Sequence, residues 1–385
     1  MFRVLRRQIR GSVGASESDC EPEEDPKSEP DGPLVRGMYG FRGQLNPYRI
    51  VGSSVLVAMI SFTASCSKRA LADGPDARFQ GHILRIVVGR SAGGTYDLYA
   101  RAIAQYFGRH VPGHPTVVVE NMPGAGGLIA LKYLAHEALP DGLTIGQVGL
   151  PGTLAQVNDD QNAQAEAPRF HALGSPADDV PVCVFSRASR IDLTTWRTGR
   201  IRPRLGVTSY GTPSQINTAL MSAALELPTQ VIVGYTGTAE IRQAISSREL
   251  DGACVGIDAY LASFEPKDDY VVALQLDGDL AGVASVSTLV SDSRGRELVD
   301  VSRLIGRISR YYAVPPGTPG EITDVLRTAF DDTMRDPEFL QIAKLAHLPI
   351  HPRVAVTVEQ SVTELVRMSS AVRDRVWSIV RPPTS

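Results

Sequence analysis

Twice in quick succession, a β-rich run gives way to a glycine-rich turn and then to a helical pattern. Ile83-Leu84-Arg85-Ile86-Val87-Val88-Gly89 leads into Ser91-Ala92-Gly93-Gly94-Thr95. Behind that turn Leu98, Ala102, Ile103, Tyr106 and Phe107 recur at the spacing of one helix face. Thr116-Val117-Val118-Val119-Glu120 then leads into Pro123-Gly124-Ala125-Gly126-Gly127, followed by Leu128, Ile129, Leu131, Tyr133, Leu134 and Ala135. Asp141-Gly142 turns the chain into a third strand, Leu143 to Val148. A βαβαβ series of this kind implies a parallel sheet with helices on its faces.

A second series starts after a loop-like stretch from Asn158 to Ser175. Strands are expected at Val180–Phe185, Arg204–Val207, Gln230–Gly234 and Gly252–Gly256, with helices at Ser214–Leu227 and Ala239–Ser247. The C-terminal part returns to helix. Pro319 opens one, Asp336-Pro337-Glu338 reads as an N-cap with proline at N1 for another, and Val358, Val362, Leu365, Val372, Val376 and Ile379 stripe a single last helix. Two α/β lobes facing each other are the architecture these two series predict.

The 385 residues are not all fold. Arg3, Arg6, Arg7 and Arg10 precede an acidic, proline-containing run from Glu17 to Asp31, which has little to bury, so 1–37 reads as a disordered leader or an over-extended start. Arg42 and Arg49, a short apolar run from Ile50 to Ala64 and Ala70-Leu71-Ala72 together describe a secretory signal peptide over 38–72, with Met38 a candidate start. Cys66 sits in a poor lipoprotein box, so a lipid anchor there is the minor alternative to plain export to the periplasm. Residues 73–178 and 308–385 are then assigned to lobe 1 and 179–307 to lobe 2. Only Cys183 and Cys254 survive cleavage. An exported location permits a disulfide between them, and a pair of buried inert thiols is the other role their apolar strands allow.

Composition excludes more than it names. A net charge of −3 and basic residues that do not cluster with aromatics argue against nucleic-acid binding. The cysteines and seven histidines have no metal-ligand spacing, no nucleophile motif is present, and neither a metal nor a cofactor is expected. The glycine loops carry the chemistry. Each lies where a strand hands over to a helix, so backbone N–H groups and the positive end of the helix dipole face whatever binds there. Such a place suits a phosphate or a carboxylate equally. Gly124-Ala125-Gly126 has Ile129 where a dinucleotide fingerprint needs its third glycine, and no Gly-Lys-Ser/Thr follows either loop.

These residues also carry a resemblance. Ile86-Val87-Val88, Gly93-Gly94-Thr95-x-Asp97 and Ala100-Arg101 look like the opening of the tripartite tricarboxylate transporter receptors, the Bug-type extracytoplasmic solute-binding proteins. The run from Val111-Pro112-Gly113 through Glu120-Asn121-Met122-Pro123 to Gly127 is similar to their second signature almost without change. Pro140-Asp141-Gly142-Leu143-Thr144-Ile145, Gly234-Tyr235-x-Gly237 and Val314-Pro315-Pro316-Gly317-Thr318-Pro319 also fit. Ser91-Ala92 depart from the proline the family usually places before the glycines.

The resemblance implies a type II periplasmic-binding-protein-like fold, each lobe a mostly parallel sheet flanked by helices, with a hinge between them. It implies no enzyme, but a monomeric periplasmic receptor that captures a small organic carboxylate between the lobes. Its partners would be the large and small integral membrane subunits of a tripartite transporter. A ligand sensor of the same fold, signalling to a membrane kinase, is the alternative. Carried over by position, Ser91, Ala92, Gly93, Gly94 and Thr95, with Pro123, Gly124, Ala125, Gly126 and Gly127, would hold a carboxylate through backbone N–H groups and water. Asp97 would support the first loop. Ser209, Gly211, Thr212, Tyr235, Thr236, Gly237 and Asp258 would reach the distal end of the ligand from the second lobe.

Overall fold

A computed structural model of the chain describes residues 78–149, 170–278 and 280–381. The leader, the export signal and Cys66 lie outside the described residues. In chain order the main elements are β1 (Ile83–Val88), α1 (Thr95–His110), β2 (Thr116–Asn121), α2 (Leu128–His136), β3 (Thr144–Gln147) and β4 (His171–Ser175). There follow β5 (Pro181–Ser186), β6 (Arg204–Val207), α3 (Pro213–Ala224), β7 (Gln230–Val233), α4 (Thr238–Ser246), β8 (Gly252–Gly256), α5 (Ile257–Ser263) and β9 (Tyr270–Gln275). The chain ends with α6 (Ser293–Ile308), β10 (Tyr312–Val314), α7 (Gly320–Thr333), α8 (Pro337–Leu345), β11 (Arg353–Val354), α9 (Ala355–Val366) and α10 (Ser370–Val380).

Two sheets result, a six-stranded one in the order β11-β4-β10-β3-β1-β2 and a five-stranded one in the order β7-β6-β8-β5-β9. The glycine-turn units do form parallel pairs, β1 with β2 and β3, and β6 with β7 and β8. Both sheets are nevertheless mixed. β5 pairs antiparallel with β8 and β9, and β10 antiparallel with β3 and β4. The reason is topological: β5 and β10 follow the passages 176–180 and 309–311 between the sheets, so each enters its new sheet from the end at which the parallel strands finish.

The pattern behind each element is physical. In α1 the buried positions Tyr99, Ala102, Ile103, Tyr106 and Phe107 form one stripe, with Asp97 in the first turn and Arg109 and His110 in the last, complementing the helix dipole. Asp336 caps α8 by accepting from Glu338 N at 2.9 Å. The single C-terminal helix read from the sequence is two, because Ser369 Oγ accepts from Val372 N at 3.4 Å and restarts the chain as α10. β4 falls inside the stretch read as loop. His171-Ala172-Leu173-Gly174-Ser175 has weak strand propensity and is held by its neighbours β10 and β11.

One core lies under the first sheet, around Leu84, Ile86, Phe107, Leu326 and Phe330. A larger one joins Leu131 and Leu134 of α2, Ile216 and Leu220 of α3, Leu298 and Ile305 of α6, and Val358, Leu365, Val376 and Val380 of α9 and α10. Of the stretch 308–385 assigned to lobe 1, α10 packs on α3 over the second sheet, whereas α9 lies against both β4 of the first sheet and α6. Gln215 Nε2 donates to Val380 O at 3.1 Å, and Arg375 pairs with Glu297. Cys183 and Cys254 face each other across the β5–β8 pair and are bonded, both fully buried, so the inert-thiol alternative gives way to a disulfide.

Candidate functional site

At the ends of β1, β6 and β8 a cavity of about 260 Å³ opens between the two sheets. A crevice at the carboxyl ends of strands is where open α/β sheets bind ligands. Its first-lobe wall is Arg90 through Tyr96. Its second-lobe wall includes Thr208, Thr212, Ser214, Asn217, Thr236, Gly237, Thr238 and Glu240, and its floor holds Asp179 and Arg310 from the two passages.

The first loop is set from behind. Asp97 Oδ2 accepts from Gly93 N at 2.8 Å and from Arg101 Nε at 2.9 Å, and Asp97 Oδ1 accepts from Asn121 Nδ2 at 2.9 Å. Burial pushes the Asp97 carboxyl up, but these donors outweigh it and hold it below the usual carboxylate range. Asn121 Nδ2 also donates to Arg90 O at 3.0 Å, so the end of β2 fixes the backbone at which β1 becomes the loop.

Arg90 is the residue that sequence reasoning missed. Its signal was a cation directly before Ser91-Ala92-Gly93-Gly94, at the mouth of a strand. Nη1 donates to Gly89 O at 3.1 Å and to Gly126 O. Among the described residues Nε and Nη2 find no hydrogen-bond partner, and no carboxylate pairs with the guanidinium. Burial lowers its pKa, offset in part by Tyr96 and Asp179, and an arginine so placed stays charged at neutral pH.

Below it the Tyr96 ring lies between two guanidinium groups, 5.3 Å from that of Arg90 and 5.2 Å from that of Arg310. The Tyr96 hydroxyl is buried and has no hydrogen-bond partner among the described residues. Its pKa is pushed up to about 12, by burial first and then by Asp179, so it remains a donor.

The floor is paired internally, although Arg310 Nε has no hydrogen-bond partner among the described residues. Arg310 is 2% exposed and donates through Nη2 to Asp179 Oδ1 at 3.0 Å and to Asp258 Oδ1 at 2.9 Å, while Nη1 pairs with Asp258 Oδ2. One guanidinium thus serves two buried carboxylates, and Asp258 takes the bidentate share. Asp179 is raised to about 6 by burial, against the pull of Arg310 and with the repulsion of Asp258 behind it. Gly256 is required here, because a Cβ on it would lie 2.1 Å from Asp179 Oδ1.

Of the residues the sequence singled out, Ser91, Ala92, Gly93, Gly94, Thr95, Thr212, Thr236 and Gly237 come together on the cavity wall. The others do not. Asp258 is turned into the Arg310 pair. Tyr235 donates its hydroxyl to Glu249 Oε1 at 2.6 Å, away from the cavity. Ser209 and Gly211 cap the start of α3, Ser209 O accepting from Thr212 Oγ1 at 2.7 Å and Gly211 N donating to Gln215 Oε1 at 3.1 Å. Pro123, Gly124, Ala125, Gly126 and Gly127 do not line the cavity. The left-handed Gly126 (φ 66°) turns its carbonyl toward Arg90, and a Cβ on it would lie 3.4 Å from Tyr210 O, so this loop meets the second lobe directly. Among the described residues no group of three or more His, Cys, Asp or Glu is placed to hold a metal ion.

No family model matches the chain. A UPF0065 protein from the gbd 5′ region of Cupriavidus necator is 39% identical over 74 residues, 19% of this chain and 22% of that protein. The first of the curated relatives is therefore matched over about a fifth of its length. A second UPF0065 protein, from Bordetella pertussis, is 23% identical over 269 residues, 68% of this chain and 80% of that protein. Among solved structures, MatC of Rhodopseudomonas palustris with bound malate superposes with a TM-score of 0.60 at 18% identity, over 77% of this chain and all of MatC. The fold is that of a two-lobed solute-binding protein. A TctC solute-binding protein from Polaromonas agrees, with a TM-score of 0.55 at 14% identity over 77% of this chain and 98% of that one. The binding-protein fold and the UPF0065 relatives meet the resemblance read from the sequence. Among the described residues no helix is long and apolar enough to cross a membrane.

Proposed function

We propose that this chain is an exported receptor that captures a small organic carboxylate between its two lobes and delivers it to the membrane subunits of a tripartite-type transporter. The observation that carries the reading is Arg90, a charged guanidinium that no carboxylate among the described residues pairs with, on the wall of an inter-lobe cavity of about 260 Å³. That volume lies just under the range of about 300–1,000 Å³ typical of drug-sized ligands, which suits a metabolite. The loop N–H groups beside Arg90 and the start of α1 add donors for an anion. A ligand seated there touches both lobes, so its binding energy favours the closed arrangement over the open one. The malate bound to MatC, a protein of the same fold, supports a carboxylate as the ligand class.

The test is a thermal-shift panel of mono-, di- and tricarboxylates against nucleotides, with native mass spectrometry of protein taken from its own periplasm. Carboxylates are expected to raise the melting temperature and nucleotides to leave it unchanged; the reverse pattern sinks the reading.

A further inference from the structure

The two walls of the cavity differ in charge, and the difference specifies the ligand further. On the first-lobe side Arg90 has Nε and Nη2 unpartnered among the described residues, and so has Tyr96 its buried hydroxyl. A guanidinium edge and a hydroxyl are a matched set of donors for one carboxylate.

On the second-lobe side no Lys, Arg or His among the described residues lines the cavity. Its polar groups are the hydroxyls of Thr208, Thr212, Ser214 and Thr236, the Asn217 amide and the Glu240 carboxylate. The helix starts there bring no cation, and α4 and α5 each carry an acid in the first turn as α1 does with Asp97, so the guanidinium is what separates the two walls. Glu240 already accepts from Thr236 N at 2.6 Å in front of α4, Asp258 occupies the first turn of α5, and α3 opens on Pro213, which has no N–H. Asp179 on the floor adds a further acid beneath.

We infer that the cavity takes a ligand with one carboxylate, bound directly by Arg90 and Tyr96, and with an uncharged or amino hydrogen-bond donor at its far end facing Glu240. This rests on the carboxylate-binding reading above and narrows it. A second carboxylate would have to sit beside Glu240 with no cation to meet it, a like-charge arrangement that selects against diacids.

The test uses matched probes of one shape and different charge. Succinate and adipate are each compared with their half-amides and their diamides by isothermal titration into ligand-stripped protein. The half-amides are expected to bind at least ~10-fold more tightly than the diacids. Arg90→Met should weaken the half-amides by ~30-fold or more, with Arg90→Lys recovering part of the loss and Tyr96→Phe costing about 5-fold. Glu240→Gln, at an exposed position, should bring diacid and half-amide to within about 3-fold of each other. A wild-type protein that prefers diacids overturns the single-carboxylate inference and leaves a carboxylate receptor standing. Diamides binding as well as half-amides, or no binding by any probe, overturns the carboxylate reading itself. Half-amide affinity unchanged in folded Arg90→Met removes Arg90 from the site.

Discussion

Two arginines flank the same tyrosine ring at nearly the same distance, yet their surroundings are opposite. Arg310 is buried between two carboxylates and has more acid around it than it can neutralise. Arg90 sits 5.3 Å from the centre of the Tyr96 ring with backbone carbonyls as its hydrogen-bond partners and no acid paired with it among the described residues. A buried cation that is over-supplied with partners is part of the framework, and removing it strands charges. One with no acid paired to it among the described residues can be removed without stranding a carboxylate, and it fits the proposed role of anion anchor. The contrast separates a structural cluster on the cavity floor from the proposed anion anchor on its wall.

The sharpest way to break this contrast is to delete each cation in turn. Arg310→Met leaves Asp179 and Asp258 buried without a counter-ion and is expected to cost about 3–5 kcal/mol of stability, read by denaturant unfolding. Arg90→Met strands no carboxylate but gives up the bonds to Gly89 O and Gly126 O and the contact with Tyr96, so it should cost about 1–2 kcal/mol, clearly less than Arg310→Met, while binding is lost. Equal destabilisation by the two substitutions would erase the distinction.

Acid titration comes next in size. Asp179 has its pKa raised from 3.8 to about 6, so the folded state holds this proton more tightly than the unfolded one. Its contribution is fully present below 3.8 and is lost as pH rises through about 6, a change of up to ~3 kcal/mol. Asp97, Asp251 and Asp277 are lowered and act in the opposite sense. The readout is therefore the difference between wild type and Asp179→Asn across that window. Curves that run parallel from about pH 4 to 7 would show that Asp179 does not titrate as its surroundings require.

The smallest effect tests the far wall. Ser214→Ala removes one hydroxyl from the cavity. It should weaken ligand by only about 3- to 10-fold, the value of a single neutral hydrogen bond, against the larger loss at Arg90. A larger loss at Ser214 than at Arg90 would place the anchor on the second lobe.

The glycine loops were legible in the sequence because each is a local event, in which a β-branched run meets residues that accept unusual dihedrals and an amphipathic stripe follows. That logic located β1, α1, β2 and α2, and the structure brings Ser91 to Thr95 to the cavity wall. It misplaced Pro123 to Gly127 because a backbone turn states its shape but not its direction; whether Gly126 faces ligand or the opposing lobe depends on how the lobes meet. Tyr235 and Asp258 failed for a related reason, since Glu249 and Arg310, which draw them away, are partners brought in by tertiary structure. Arg90 stood in plain view, but its value lies in having no acid paired with it, and no sequence pattern reports a missing neighbour. The strands β4 and β10 were hidden because each is short and depends on a neighbour distant in sequence to become a strand.

The last two helices have a mechanical consequence. β11 belongs to the first sheet, whereas α10 is pinned to α3 and α6 by Gln215 and by the Arg375–Glu297 pair. The chain therefore spans the two halves a third time, on the outside, well away from the two inner passages. Moving one sheet relative to the other then has to carry or deform this third crossing as well as the two inner passages.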